Sequence, residues 1–282
     1  MRATGQIENH EILTVFKQLA DSNKDVRFLN VYKGVPISYE AKIIEVADTS
    51  ALFRTEKIQL VSMDYEGKTY IQSLFLPKIV YARVQDIDMR RYESVLGEFE
   101  YVSGRIGART QVRVIPERTV NVLIQLEDSD LSCEGELADI SLDGLGFYTS
   151  REIQQPECLK KGSKIRMVLS LPGRKMKKQA GRNSPDQGDS PVRHHTIRLE
   201  EDGLPCVEQV DWLVQEETRT VNLSGEIMNF HEEAQQRRWR IGVRIDPHDP
   251  HKGEISHYIT HRQAEIMREI RNAYETKSTL KM

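Results

Sequence analysis

Short apolar–polar alternation recurs along most of this chain, and it restricts the fold more than any other feature. Val120, Val122, Ile124 and Leu126 share one side of a period-two repeat. So do Ile165, Met167, Leu169 and Leu171, and so do Trp239, Ile241, Val243 and Ile245. Val221, Leu223 and Ile227 continue the pattern around Gly225. Successive strand side chains point to opposite faces, so each set marks one buried face of a half-exposed strand. Upstream, the stretches beginning at Val26, Lys42, Lys57, Lys68 and Ile79 are predicted as further strands, with Glu66-Gly67 as a hairpin turn. Many short strands with little helix between them predict an all-β chain built as barrels or sandwiches.

Helix is predicted near the two ends. Ile12, Phe16 and Leu19 fall at helical spacing within residues 9–20. Ile255, Tyr258, Ile259, Ile266, Ile270 and Tyr274 line one face of a C-terminal helix, expected to pack against the second barrel. A length of 282 residues suggests two domains. We place the first at residues 1–102, an arginine-bearing connector at 103–119 and the second domain at 120–282. A segment at about 172–218 interrupts the second domain. Its first part, residues 172–195, is rich in Lys, Arg, Gly, Ser and Pro and is expected to add nothing to the core; residues 197–215 recover apolar character, so the segment is read as an elaborated hairpin with a loose tip.

Charge and composition exclude several classes. A net charge of −3 lacks the basic excess of a general nucleic-acid binder, so no nucleic acid is expected as partner. No run approaches the ~18 apolar residues of a membrane span, so no direct membrane insertion is expected. Cys133, Cys158 and Cys206 are odd in number and form no CxxC, which suits free thiols in a reducing cytoplasm. The chain carries no GxSxG, GxxxxGK[ST] or strand-borne GxGxxG motif, so no catalytic residue is assigned and no enzyme activity is expected. His248, His251, His257 and His261 lack the supporting ligands of a zinc site, so no metal is assigned either.

Two short motifs carry the functional signal. Arg109 and Arg113 form an RxxxR in the connector, and Asp139, Ser141 and Gly144 form a DxSxxG further on. Each alone is commonplace; a DxSxxG can be a plain turn with positive φ at its glycine. Together they suit a guanine nucleotide. Arginine offers a fork to guanine O6 and N7, stacks on purines and pairs with phosphate. The Asp139 carboxylate can accept from the guanine Watson–Crick edge, Ser141 adds a donor and acceptor, and Gly144 lets a ligand approach the backbone.

RxxxR followed by DxSxxG resembles the signature of the PilZ family, receptors of the bacterial messenger cyclic di-GMP. The segments ELADISLDGLGF, RRWRIGVRI and HYITHRQAEIMREI are also similar to that family's strands and closing helix, so the likeness covers about residues 105–170 and 219–272. The N-terminal domain resembles, by size and strand texture, the split barrel that precedes PilZ in flagellar-brake-type proteins. The resemblance implies two small β-barrels with a C-terminal helix, and cyclic di-GMP as ligand with no cofactor. Arg109 and Arg113 would grip guanine and phosphate, and Asp139, Ser141 and Gly144 would line the other side. Ala108 stands where some members carry another arginine. Arg105 and Arg118 are candidates to compensate, and Gly146 is a further candidate contact, though a packing glycine is the simpler reading. The expected output is an interdomain rearrangement signalled to a protein partner, with flagellar motor components implied by the resemblance. The rival reading is a constitutive interaction module with a degenerate motif.

Overall fold

The computed structural model describes residues 2–103, 111–127, 132–150, 160–178, 192–199, 205–233 and 238–280. The chain opens with helix α1 (Arg2–Asp21). Ile12, Leu13, Phe16 and Leu19 are buried on one face of it. The helix ends on a left-handed Asn23 (φ 49°), with the Lys24 N–H returning to the Leu19 carbonyl at 2.9 Å.

Six strands follow: β1 (Val26–Tyr32), β2 (Val35–Val46), β3 (Ser50–Thr55), β4 (Lys68–Gln72), β5 (Ile79–Asp88) and β6 (Glu93–Val102). They close into an antiparallel barrel in the order β1-β2-β3-β6-β5-β4. Phe16 of α1 sits edge-on to Phe53 (5.6 Å) and Phe99 (5.2 Å), so the helix supplies an aromatic plug to the barrel. Asn9 and Glu8 accept from the Phe99 and Tyr101 N–H groups, at 2.9 and 3.0 Å, next to the left-handed Glu98 of β6.

One predicted strand is a helix. Residues Lys57–Glu66 form α2, between β3 and β4. Gln59, Leu60, Val61, Ser62 and Met63 are all buried, so burial extends around the helix and leaves no 3.6-residue stripe to distinguish it from a strand. Gly67 is correspondingly its left-handed C-terminal cap (φ 66°), donating to the Met63 carbonyl, and not a hairpin turn.

The second barrel contains β7 (Asn121–Leu126), β8 (Ser132–Ser141), β9 (Gly144–Ser150), β10 (Lys164–Lys178), β12 (Pro205–Glu233) and β13 (Arg238–Ile245). Their order is β10-β7-β8-β9-β13-β12, closed by β10–β12 pairing, and β11 (Val192–Leu199) adds to β12. Val122, Ile124, Ile165, Met167, Leu169, Leu171, Val221, Leu223, Ile227, Ile241, Val243 and Ile245 are buried, so the alternating sets line the core. The last and first members, Leu126 and Trp239, are only half-buried, and Trp239 stacks on Phe230 at 4.4 Å. Two barrels with a terminal helix therefore bear out the all-β expectation. The 172–218 segment continues as paired backbone: β10 stays in register with β12 as far as Lys178↔Trp212, and β11 pairs from Val192↔Trp212 to Leu199↔Pro205. The expected loose tip lies outside the described residues.

Helix α3 (Lys252–Leu280) closes the chain. The chain divides into two compact units: Met1–Glu117 with Asp139–Asp143 and Ile255–Met282, and Arg118–Ala138 with Gly144–Glu254. Most of α3 thus falls in the unit of the first barrel, whereas the sequence reading attached it to the second. Tyr274 Oη donates to the Met89 carbonyl at 3.1 Å, its ring lies parallel to Tyr92, and Lys277 pairs with Asp64. An apolar stripe states that a helix must be covered; it does not name the cover. Among the described residues no helix is long and apolar enough to cross a membrane.

Candidate functional site

Arg113 lies in an extended segment of the first unit, and Asp139 near the end of β8. Val114 forms an antiparallel bridge with Ile140, with N–H···O distances of 2.9 and 3.0 Å in the two directions. Antiparallel pairing sets Arg113 opposite Ser141, with Asp139 diagonal to it across the bridge, within reach of a long side chain. Arg113 Nη1 donates to Asp139 Oδ1 at 3.1 Å. The Asp139 side chain is 12% exposed and that of Arg113 is 37% exposed, so a buried acceptor faces a half-exposed cation. Ser141, two residues on from Asp139, is buried. The structure therefore brings together Arg113, Asp139 and Ser141, members of both motifs.

A turn at Leu142 and Asp143 leads from Ser141 into Gly144, the first residue of β9 and a member of the second unit. Gly144 is not among the positive-φ glycines, so the turn reading does not explain it. A Cβ there would collide with the Val243 carbonyl oxygen of β13. Gly146 is buried within β9 opposite Gly242. Arg118 is exposed in a bend before β7. Arg105 and Arg109 lie outside the described residues.

The residues that hold the Arg113 segment were not read from the sequence. The Ile115 N–H donates to the Lys33 carbonyl at 3.2 Å, in the tight turn between β1 and β2. Gly34 of that turn is left-handed (φ 85°), and a Cβ on it would collide with the Arg113 carbonyl oxygen. From α3, Arg262 Nε donates to the Ile115 carbonyl at 3.1 Å. Its Nη1 donates to Glu269 at 2.8 Å and to Glu265 at 3.3 Å, and Glu269 also accepts from Lys33 at 2.5 Å. Burial alone would raise the Glu269 carboxyl, but the hydrogen bonds from Lys33 and Arg262 outweigh it and hold the group below the ordinary carboxylate range. The legible signal was Arg262 itself: it stands four residues after Tyr258 and four before Ile266, inside the apolar stripe, and is 2% exposed. Arginine so buried signals paired acceptors.

No three His, Cys, Asp or Glu side chains converge on a common point among the described residues. His261 and His251 lie near the helix neighbours Glu265 (3.4 Å) and Glu254 (3.6 Å). What the site offers is recognition chemistry: a guanidinium, a shielded carboxylate and a hydroxyl.

No protein-family model matches this sequence, and no curated protein matches it. Among solved structures, the chain is similar to the inhibitor of motility MotI/DgrA of Bacillus subtilis, at 11% identity and TM-score 0.35, covering 86% of this chain and 96% of that one. It is also similar to MrkH of K. pneumonia in complex with c-di-GMP, at 11% identity and TM-score 0.39, over 93% of this chain and 96% of that one. YcgR of Escherichia coli in complex with c-di-GMP aligns at 11% identity and TM-score 0.36, over 93% of each chain. These TM-scores are low: the alignments run along most of each chain without superposing it closely.

Proposed function

We propose that this protein is a receptor for cyclic di-GMP that works by recognition and not by catalysis. The observation that carries the reading is the 3.1 Å pairing of Arg113 with Asp139, which unites two motifs 26 residues apart. Arg109 and Arg113 grip guanine and phosphate. Asp139 accepts from the guanine edge, Ser141 adds a reversible donor and acceptor, and Gly144 is a further candidate contact, although the space of its missing Cβ is taken by the Val243 carbonyl of β13. Arg105, Arg118 and Gly146 are additional candidates. A half-exposed ion pair contributes only ~0–1 kcal/mol, so a dianionic ligand competes for Arg113 at little cost. Capture changes the arrangement of the two barrels and thereby the surface offered to a protein partner in the cytoplasm. Motility control, through components of the flagellar motor, is the output that the motif resemblance implies.

One observation favours a second reading. Arg113 and Asp139 already satisfy each other within the chain, as they would in a constitutive interaction module whose motif is a remnant. Isothermal titration calorimetry with cyclic di-GMP decides between them. A saturable heat with defined stoichiometry is expected; no binding by the folded protein overturns the receptor reading.

A further inference from the structure

We infer that Arg262 of α3 is a positioning residue for the Arg113 side of the site, and that it sets the site's affinity for ligand. The inference rests on the receptor reading just given. Residues 113–115 are held from two directions within one unit. On one side, Val114 exchanges both backbone hydrogen bonds with Ile140, between Asp139 and Ser141. On the other, Ile115 is held at its N–H by the Lys33 carbonyl and at its carbonyl by Arg262 Nε. Without the Arg262 guanidinium, Ile115 keeps the Lys33 carbonyl on its N–H but loses the donor to its carbonyl, so that side of the segment is held by one bond in place of two.

The guanidinium suits this work. One planar fork serves a backbone carbonyl through Nε and two carboxylates through Nη1, at 3.1, 2.8 and 3.3 Å. Glu269 joins the hold on the Ile115 carbonyl to the hold on its N–H, because it also accepts from Lys33, whose own carbonyl receives Ile115. Lysine in place of Arg262 keeps the charge but has no fork. It reaches a carboxylate and loses the carbonyl. The crowding of Gly34 against the Arg113 carbonyl shows how closely the segment is seated in that turn.

The test is hydrogen exchange on the full-length protein, with and without cyclic di-GMP, comparing Arg262→Lys with the parent chain. Exchange at the Val114 and Ile115 amides is expected to accelerate about tenfold, the loss of one charge-assisted hydrogen bond, while amides of β2 and β13 are unchanged. Affinity for cyclic di-GMP should fall about fivefold or more by calorimetry, without change in stoichiometry. Glu269→Gln, nearly isosteric, serves as second variant should Arg262→Lys fail to fold, and is expected to shift both readouts in the same direction. Unchanged exchange at residues 114 and 115 in a folded variant overturns the inference. So does faster exchange with unchanged affinity. If the parent chain binds no cyclic di-GMP, the receptor reading fails, while exchange in the ligand-free protein still decides whether Arg262 holds the segment.

Discussion

Arg113 Nη1 donates to Asp139 Oδ1 at 3.1 Å, so the second arginine of the connector motif is the partner of the strand motif's aspartate. The acceptor is shielded and the donor half-exposed. This asymmetry matters for ligand exchange: the guanidinium can leave toward an incoming anion, whereas Asp139 stays where β8 holds it.

Arg113→Ala should lower the affinity for cyclic di-GMP at least tenfold. Loss of a charge-assisted hydrogen bond costs on the order of 1.5–3 kcal/mol, and each ~1.4 kcal/mol is a factor of ten. The fold should persist, because Arg113 is half-exposed and water can reach the Asp139 carboxylate in its place. Calorimetry and a thermal melt check both halves. Parental affinity in the folded variant removes Arg113 from the site.

Gly144 calls for a different expectation. A Cβ there meets the Val243 backbone carbonyl, which cannot rotate away as a side chain would. Gly144→Ala should therefore destabilise the second barrel by ~1–3 kcal/mol, through a shift between β9 and β13. Urea denaturation measures it. Parental stability would mean that the strands separate freely at this point, and would return the glycine to a ligand-clearance role alone.

Asn30 is completely buried at the centre of a polar knot in the first barrel. Its Oδ1 accepts from Gln59 Nε2 at 2.7 Å and Thr69 Oγ1 at 2.8 Å, and its Nδ2 donates to the Lys68 carbonyl at 2.7 Å. Asn30→Ala strands these partners, and each buried group left unsatisfied costs ~1–3 kcal/mol. We expect a loss of at least ~2 kcal/mol in denaturant unfolding, against a small effect for the exposed Asn272. Equal effects at the two positions would argue against the knot.

Tyr258 predicts an alkaline limit. Burial pushes its hydroxyl up to about 12 from an ordinary 10.0. The folded state then keeps a proton that the unfolded state has lost, so the stabilisation is complete below pH 10 and disappears as pH rises towards 12. A shift of this size corresponds to roughly 3 kcal/mol at most. Comparing the pH dependence of unfolding in the parent chain and Tyr258→Phe isolates the contribution. Parallel curves through that window would refute it.

The all-β class and the strands β7, β10, β12 and β13 of the second barrel were legible from local pattern alone. They were so because period-two burial is written in consecutive residues: Val122 and Ile124, or Ile241 and Val243, declare their shared face without reference to the rest of the chain. Helix α1 was legible from a different local period, the helical spacing of Ile12, Phe16 and Leu19. What sequence periodicity could not resolve was any element buried all round, and α2 was read as a strand because Leu60, Val61 and Met63 carry no empty face. The long-range partners of the apolar and charged surfaces emerge from the folded arrangement. That arrangement gave Gly144 a neighbouring backbone in place of a turn, grouped α3 with the first barrel, and placed Arg262 against Ile115, 147 residues away. Such contacts depend on where distant elements meet in space, and local spacing holds no record of that distance.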